Sequence, residues 1–288
     1  MTQVPTLGSV VIPAHNEAAV IGRCLDALFE GMSSGDLEVV VACNGCTDDT
    51  ATIARNAGHP VQVLEIATPS KPAALRAAER AAGAFPRIYL DADIELTGAS
   101  ARTLLDRLGP GGVLAGRPAI HYQTDRSSLL VRSYYRARAR IPEVMGNLWG
   151  AGVYGLSEAA RSRFGDFPDV IAEDLYVDQR FRTDEIEITG GEPVTVRVPR
   201  TMGALFRILR RTYRGKGENR GGSELSTTKI LKQTSTRTVF HQVIASSRAG
   251  PAEAADALVY VGLTLIGRVL AMIAKDTGWE RDNSSRQD

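Results

Sequence analysis

Apolar and polar positions in the first hundred residues follow two different periods. Four short β-branched runs predict strands, and three segments between them carry apolar residues at helical spacing. In chain order, these strands and helices are 9–13, 17–31, 37–42, 49–58, 61–66, 71–83 and 87–90. Strands that alternate with helices in this way are typical of βαβ units. The pattern therefore predicts an α/β fold with a mostly parallel sheet flanked by helices.

The regular alternation ends after about residue 115. The segment 145–170 is rich in glycine and irregular, 171–181 predicts a helix, and 185–200 predicts a pair of strands. Residues 216–250 are polar and weakly periodic, and we expect them to form a mobile segment. The remaining residues, 251–288, are expected to contain a C-terminal apolar helix and a tail.

The apolar stretch 257–274 is about 27 Å long as a helix, the short limit for a membrane span. Arg268 lies within it and costs roughly 2.5–3.5 kcal/mol on membrane-insertion scales. Three interpretations stay open: a helix packed on the protein or on a sister subunit, a helix on a membrane surface, and a membrane span. The first two are favoured over the span. A homo-oligomer is one alternative for the oligomeric state.

Composition and charge are those of an ordinary globular protein. The chain of 288 residues is 43% hydrophobic, and its 34 basic residues nearly cancel its 33 acidic ones. No overall positive field favours nucleic acid, so nucleic acid is not an expected partner. Three cysteines fit a reducing compartment, and the N-terminus has no secretory signal pattern, so we expect a cytoplasmic protein.

Two carboxylates, Asp91 and Asp93, directly follow the predicted strand 87–90. Positions i and i+2 of an extended chain lie on the same side, so both can face one ligand. Such hard oxygen ligands suit Mg²⁺ or Mn²⁺. The spacing taken alone favours a solvated pair of loop residues.

Further motifs occur in a fixed order around this pair: "VIPAHNE" (11–17), "ACNGCTDDT" (42–50), "SKPAALRAA" (70–78), "AEDLYVDQR" (172–180) and "RILRRTYRG" (207–215). Together with "DAD" (91–93), they resemble the family-2 inverting glycosyltransferases with the GT-A fold. The resemblance runs from about residue 7 to residue 215. It implies a GT-A-like catalytic domain over 1–215, with a nucleotide-binding half (1–100) and an acceptor half (101–215).

The resemblance also implies roles for individual residues. Those expected to bind the nucleotide-sugar donor are Pro13, Ala14, His15, Glu17, Asn44, Lys71, Asp91, Arg211 and Arg214, with Arg210 beside the last two. Asp91 and Asp93 match the metal-binding motif, and Asp174 matches the catalytic base. The family usually has tyrosine at the position of His15 and aspartate at that of Asn44, so uracil, thymine and guanine all stay open as the base.

The function implied by the resemblance is a hexosyltransferase-type, metal-dependent inverting glycosyltransferase. It would move a sugar from a nucleotide-sugar to a hydroxyl of a glycan, lipid or small molecule, with Mn²⁺ or Mg²⁺ as cofactor. Many relatives act at membranes, so a peripheral location at the inner face of the cell membrane is an alternative to a free cytoplasmic one. Two other functions stay open: a non-catalytic nucleotide-sugar-binding relative and a sugar-nucleotide pyrophosphorylase. The pyrophosphorylase is disfavoured because "VIPAHNEA" has no glycine-rich loop.

The spacing Cys43-x-x-Cys46 after a predicted strand is also found in redox motifs and in half of a zinc site. The chain contains no second cysteine pair, and the segment fits the nucleotide loop of the family. The nucleotide-loop interpretation is therefore favoured. The arginine run 132–140 is interpreted as a solvated helix face whose tyrosines anchor it to the core.

Overall fold

The computed structural model describes residues 6–170, 172–221 and 250–273. The chain divides into two compact units. The first unit comprises Met1–His121, Leu148–Asp169 and Arg180–Val196. The second comprises Tyr122–Asn147, Val170–Gln179 and Arg197–Asp288.

The first unit is built around a seven-stranded sheet with the order β3-β2-β1-β4-β6-β5-β7. The strands are β1 (Gly8–Ala14), β2 (Leu37–Asn44), β3 (Val61–Ile66), β4 (Arg87–Leu90), β5 (Ala115–Gln123), β6 (Val153–Leu156) and β7 (Ile186–Arg197). The first four strands pair in parallel, while β6 runs antiparallel to both β4 and β5. This mostly parallel sheet flanked by helices confirms the predicted α/β class.

The helices are α1 (Ile21–Phe29), α2 (Thr50–Arg55), α3 (Lys71–Ala81), α4 (Gly98–Leu108), α5 (Leu129–Ala139), α6 (Pro142–Met145), α7 (Glu158–Arg161), α8 (Glu173–Asp178), α9 (Met202–Gly221) and α10 (Pro251–Ile273). A 3₁₀ turn covers Thr183–Glu185. The β-branched runs of β1 and β2 are almost entirely buried, as expected of central parallel strands. The apolar stripe of α1 packs into the same core through Ile21, Leu25 and Leu28.

The second unit has its own apolar core, in which α5, α9 and α10 contribute most of the buried residues. Tyr134 of α5 and Tyr260 of α10 stack with ring centroids 4.9 Å apart. Gly267 of α10 lies so close to Leu209 of α9 that a Cβ there would be 2.8 Å from the leucine Cβ. The three helices therefore make specific contacts along their length.

Helix α10 has two different faces. Its packed face includes Asp256, Tyr260 and Leu263, all less than a tenth exposed. Several large apolar residues on α10 are exposed instead: Leu258, Leu265, Ile266, Val269, Leu270, Met272 and Ile273. Within the described residues, α10 is long and apolar enough to cross a membrane, and a third of its most apolar window is buried in the protein. The helix thus packs on its own unit, as the first interpretation predicts, and its membrane role stays a prediction.

Three sequence expectations differ from the structure or lie outside it. The predicted strand pair over 185–200 is wrong, because β7 is one continuous strand that passes through Gly190 and Gly191. Part of the irregular segment 145–170 is regular, since it contains β6. The expected mobile segment lies largely outside the described residues, at 222–249, and its first residues continue α9 to Gly221.

Candidate functional site

The carboxyl ends of β1, β2 and β4 lie along one edge of the first unit's sheet. These strands are parallel neighbours, and Ala14 at the end of β1 is paired with Cys43 near the end of β2. Ligands of open α/β sheets bind at this edge. The side chains that follow each strand are therefore the ones expected to contact a ligand.

The loops after β1 and β2 are joined by hydrogen bonds through Asn44. Its side-chain amide donates to the main-chain carbonyl of Ala14 at 2.8 Å, and Asn44 is only 3% exposed. Nδ1 of His15 donates to the main-chain carbonyl of Asn44, because a carbonyl oxygen can only accept. The structure therefore brings together three of the residues predicted to bind the base and ribose.

The remaining residues of this loop are held by the start of α2. Pro13 is buried in β1, and Glu17 is 7% exposed. The main-chain amide of Glu17 donates to Oγ1 of Thr50 at 2.7 Å, and that of Ala18 donates to Asp48 at 3.1 Å. Partial burial acts to raise the pKa of Asp48, but hydrogen bonds from Thr50 and Ala18 outweigh it and lower the pKa. Asp48 therefore holds the loop as a carboxylate.

Lys71 and Asp91 are in direct contact. Helix α3 begins at Lys71, where Oγ of Ser70 caps the amide of Ala73 at 3.3 Å and Pro72 favours the first turn. The lysine Nζ then donates to Oδ1 of Asp91 at 2.6 Å. Both side chains are partly exposed, at 24% and 37% respectively. This geometry leaves a positive and a negative group at the end of β4, both open to a ligand.

Gly152 fixes the other side of Asp91. Its carbonyl accepts the main-chain amide of Asp91 at 2.7 Å, and its φ of +67° lies in the left-handed region. A Cβ at this position would be 2.5 Å from Cγ1 of Ile94 and 3.3 Å from Oδ2 of Asp91. Only glycine fits without displacing these groups. Gly152 thus supports the Asp91 carboxylate.

The end of β4 is strongly acidic. Burial raises the pKa of the Cys24 thiol, and the nearby carboxylates of Asp93, Glu95, Asp91 and Glu17 raise it further, in that order. Glu95 also pairs with Arg23 at 3.3 Å. These oxygen ligands suit a hard divalent cation.

A divalent cation would have few protein ligands here. Within the part of the chain that the structure describes, no three or more His, Cys, Asp or Glu side chains are arranged to enclose a metal. Mg²⁺ commonly binds through one or two carboxylates and completes its shell with water and substrate phosphate oxygens. Asp91, which Gly152 supports, and Asp93 fit that mode of binding.

The other predicted site residues belong to the second unit. Asp174 lies in the first turn of α8, is partly exposed, and its Oδ1 accepts the main-chain amide of Leu175 at 2.8 Å. Arg211 is exposed on α9, and Arg214 lies on the same helix. Their catalytic and binding roles stay predictions.

No sequence pattern marks Glu79, which lies on α3 and contacts β4. Its carboxylate accepts hydrogen bonds from the Tyr89 hydroxyl and from Arg161. Tyr89 is two residues before Asp91 on the chain. Glu79 therefore fixes α3, which carries Lys71, against β4, which leads to Asp91. The contact between Glu79 and Arg161, 82 residues apart in the chain, has no local signal that could reveal it.

Comparison with known proteins defines the class. A sequence model described as Glycosyl transferase family 2 matches residues 9–158, just over half of the chain. The chain therefore belongs to glycosyl transferase family 2. No curated protein sequence matches it.

Two solved proteins share the fold. A mannosyltransferase from Pyrobaculum calidifontis, in complex with GDP-Man and Mn²⁺, aligns over 96% of this chain and 91% of its own, with a TM-score of 0.66 and 19% identity. Glucosyl-3-phosphoglycerate synthase from Mycobacterium tuberculosis, in complex with Mn²⁺, UDP and glucosyl-3-phosphoglycerate, aligns over 75% of this chain and 81% of its own, with a TM-score of 0.52 and 22% identity. The fold is thus GT-A-like. Family and fold together support a nucleotide-sugar-dependent glycosyltransferase.

Proposed function

We propose that this protein is a metal-dependent inverting glycosyltransferase of the hexosyltransferase type. It transfers a sugar from a nucleotide-sugar donor to a hydroxyl group of an acceptor. The observation that carries the proposal is the Lys71–Asp91 contact, with Asp93 beside it, at the ligand-binding edge of a family-2 sheet. The Lys71 ammonium group can bind a diphosphate, and the carboxylates of Asp91 and Asp93 can bind its metal ion. The main chain at Gly152 lies close to the same strand end.

The donor binds to the first unit in this proposal. The loop formed by Pro13, Ala14, His15 and Glu17, together with Asn44, holds the base and ribose. Lys71 contacts the diphosphate as a point charge. The hydrogen bonds that join the β1 and β2 loops support this role, because they fix the loops before a ligand arrives.

Asp91 and Asp93 hold the divalent cation, Mn²⁺ or Mg²⁺. When bound, the cation neutralises negative charge that grows on the leaving diphosphate. The mannosyltransferase above is described with Mn²⁺, and the synthase has been described with Mn²⁺ or with Mg²⁺. Lys71 already offsets part of the charge of Asp91, so the site tolerates two carboxylates without the metal.

Asp174 acts as the base that removes the proton of the acceptor hydroxyl. Its carboxyl group is partly exposed in the first turn of α8, where an acceptor hydroxyl can reach it. Arg211 and Arg214 of α9 bind the diphosphate by charge-assisted hydrogen bonds. The acceptor is a glycan, a lipid or a small molecule that carries the hydroxyl, and the protein acts in the cytoplasm or at the membrane's inner face.

The experiment that tests the donor site is thermal unfolding with a panel of UDP-, GDP- and dTDP-sugars, each with and without Mn²⁺. A ligand at one hundred times its Kd stabilises the folded state by about 2.7 kcal/mol. One donor should raise the unfolding temperature only when Mn²⁺ is present. Asp93→Ala should abolish that shift, whereas Asp106→Ala, which removes an exposed carboxylate of α4, should retain it. If no sugar nucleotide raises the unfolding temperature of the wild type, the proposal is contradicted and a relative that has lost donor binding is favoured.

A further inference from the structure

Two of the three cysteines lie together inside the proposed nucleotide loop. Cys43 is near the end of β2 and is 2% exposed, and Cys46 follows it in the next loop and is partly exposed. Cys43 pairs with Ala14 in the sheet, and the Cys46 thiol contacts the main-chain carbonyl of Ala14, so both cysteines lie beside the end of β1. Cys24, the third cysteine, is fully buried in the core beneath α1.

Cys46 also ties the β2 loop to the β1 loop. Its thiol donates to the main-chain carbonyl of Ala14 at 3.6 Å, and its sulfur accepts the main-chain amide of Asn16 at 3.4 Å. Asn16 has a positive φ of 52°, and its side chain accepts the amide of Thr47 at 2.7 Å. The conformation of the β1 loop therefore depends partly on the position and protonation of one sulfur atom.

We propose that Cys43 and Cys46 form an oxidisable dithiol, and that a low-molecular-weight disulfide such as glutathione disulfide converts it to an intramolecular disulfide that opens the β1 loop. The sulfur of Cys46 attacks the glutathione disulfide and releases one glutathione. The sulfur of Cys43 then attacks the mixed disulfide and releases the second. In total, one glutathione disulfide and two thiols give one protein disulfide and two molecules of glutathione.

The order of attack follows from the surroundings of each thiol. Burial, with smaller contributions from Cys46, raises the pKa of Cys43 to about 12, so Cys43 is protonated at neutral pH and poorly reactive. Cys46 is the more exposed of the two and meets the oxidant first. The second step is consequently the slow one, because it needs the Cys43 thiolate.

Oxidation changes the loop in two ways. The disulfide sulfur of Cys46 carries no proton, so it cannot donate to the Ala14 carbonyl. It must also approach the Cys43 sulfur to about 2.05 Å, which moves it from its place beside Asn16. Hydrogen bonds that hold the proposed base and ribose loop are therefore lost in the oxidised form. The effect on donor binding rests on the proposed function, whereas the oxidation itself does not.

The test treats the reduced full-length protein with glutathione disulfide and follows mass and amide hydrogen exchange. Cleavage after glutamate places Cys43 and Cys46 together in peptide 39–65 and Cys24 in peptide 18–30. We expect peptide 39–65 to lose two hydrogen atoms, with faster exchange at residues 15–17 and 45–48. Donor-dependent stabilisation should be lost at the same time, and dithiothreitol should restore all three.

Cys46→Ser is the matched control, because a hydroxyl can donate to Ala14 and accept from Asn16 but cannot form a disulfide. Peptide 39–65 of this variant should keep its mass, and its loop should keep its exchange rate, in the presence of the oxidant. A stable glutathione adduct without ring closure, or a disulfide without faster exchange in the loop, would overturn the inference. Disulfide formation with faster exchange, but no donor binding even in the reduced protein, would support the inference and overturn the proposed function.

Discussion

Asp256 provides the sharpest stability prediction, because one buried carboxylate joins two helices. The side chain lies on α10 and is 4% exposed. It accepts hydrogen bonds from Ser133 at 2.6 Å, from Arg136 at 2.6 and 2.9 Å, and from Arg140 at 3.1 Å, all from α5 or its C-terminal end. Asp256→Asn keeps the shape, removes the charge and turns an amide donor towards the guanidinium groups.

The expected cost follows from these contacts. Breaking a buried ion pair by removing one partner costs about 3–5 kcal/mol when both groups are buried. The arginines are 52% and 35% exposed, so solvent screens part of this interaction. We therefore expect a loss of about 2–3 kcal/mol in the free energy of unfolding of the second unit. Glu253→Gln is the matched control: its pair with Arg140 spans 3.8 Å at partly exposed positions and should cost under about 0.5 kcal/mol.

The effect of Asp256 should depend on pH. Burial acts to raise the pKa of Asp256, but hydrogen bonds from Arg136 and Ser133 outweigh it and lower the pKa. A carboxyl group with a lowered folded pKa stabilises the protein above its unfolded pKa, and this contribution is lost as the pH falls through the folded value. The difference in the free energy of unfolding between wild type and Asp256→Asn should therefore be largest at neutral pH and decrease below about pH 4.

Urea unfolding, combined with hydrogen exchange of α5 and α10, measures both the cost and its pH dependence. Exchange should become faster in both helices of the variant at neutral pH. Equal stability of Asp256→Asn and wild type, or an equal loss in Glu253→Gln, would refute the assigned role of this contact.

Three further predictions concern the site and α10. Gly152→Ala should abolish the Mn²⁺-dependent rise in unfolding temperature that the donor causes, because the new Cβ would displace Ile94 or Asp91. Gly190→Ala, at a position with open space around it, should keep this rise, and thermal unfolding of both variants checks the prediction. Asp174→Asn should bind donor normally but lower the transfer rate by about 10²–10⁴-fold, as measured by release of nucleoside diphosphate, and full turnover would exclude it as the base. Lysis without detergent should leave the protein in the supernatant, because α10 packs on its own unit, and recovery only with detergent would indicate a membrane span.

The first half of the fold could be predicted because its signals are local. The buried β-branched runs of β1 to β4 and the amphipathic spacing of α1 show in the sequence, and all of these elements form where expected, with ends that shift by a few residues. Strand β7 is harder to predict from the sequence, because adjacent glycines such as Gly190 and Gly191 are typical of a turn. In the structure the strand continues through them, so pairing in the sheet outweighs the local preference.

Contacts between distant residues account for most of what the sequence did not show. The arginine run 132–140 is not simply a solvated face, since Arg136 and Arg140 bind Asp256, more than a hundred residues away. Its tyrosines do anchor the helix, as predicted: Tyr134 and Tyr135 are buried. In the site, the order of the motifs indicated Lys71 and Asp91, but only the fold shows that they touch and that Gly152 supports them.

Donor turnover tests the central claim most directly. Each sugar nucleotide that stabilises the protein is incubated with it and Mn²⁺, and proton NMR follows the freshly released sugar. One donor should release its nucleoside diphosphate, with the sugar in the inverted anomeric configuration, and both EDTA and Asp93→Ala should stop the reaction. Turnover that persists in EDTA or in Asp93→Ala, or a sugar released with retained configuration, would contradict a metal-dependent inverting transferase.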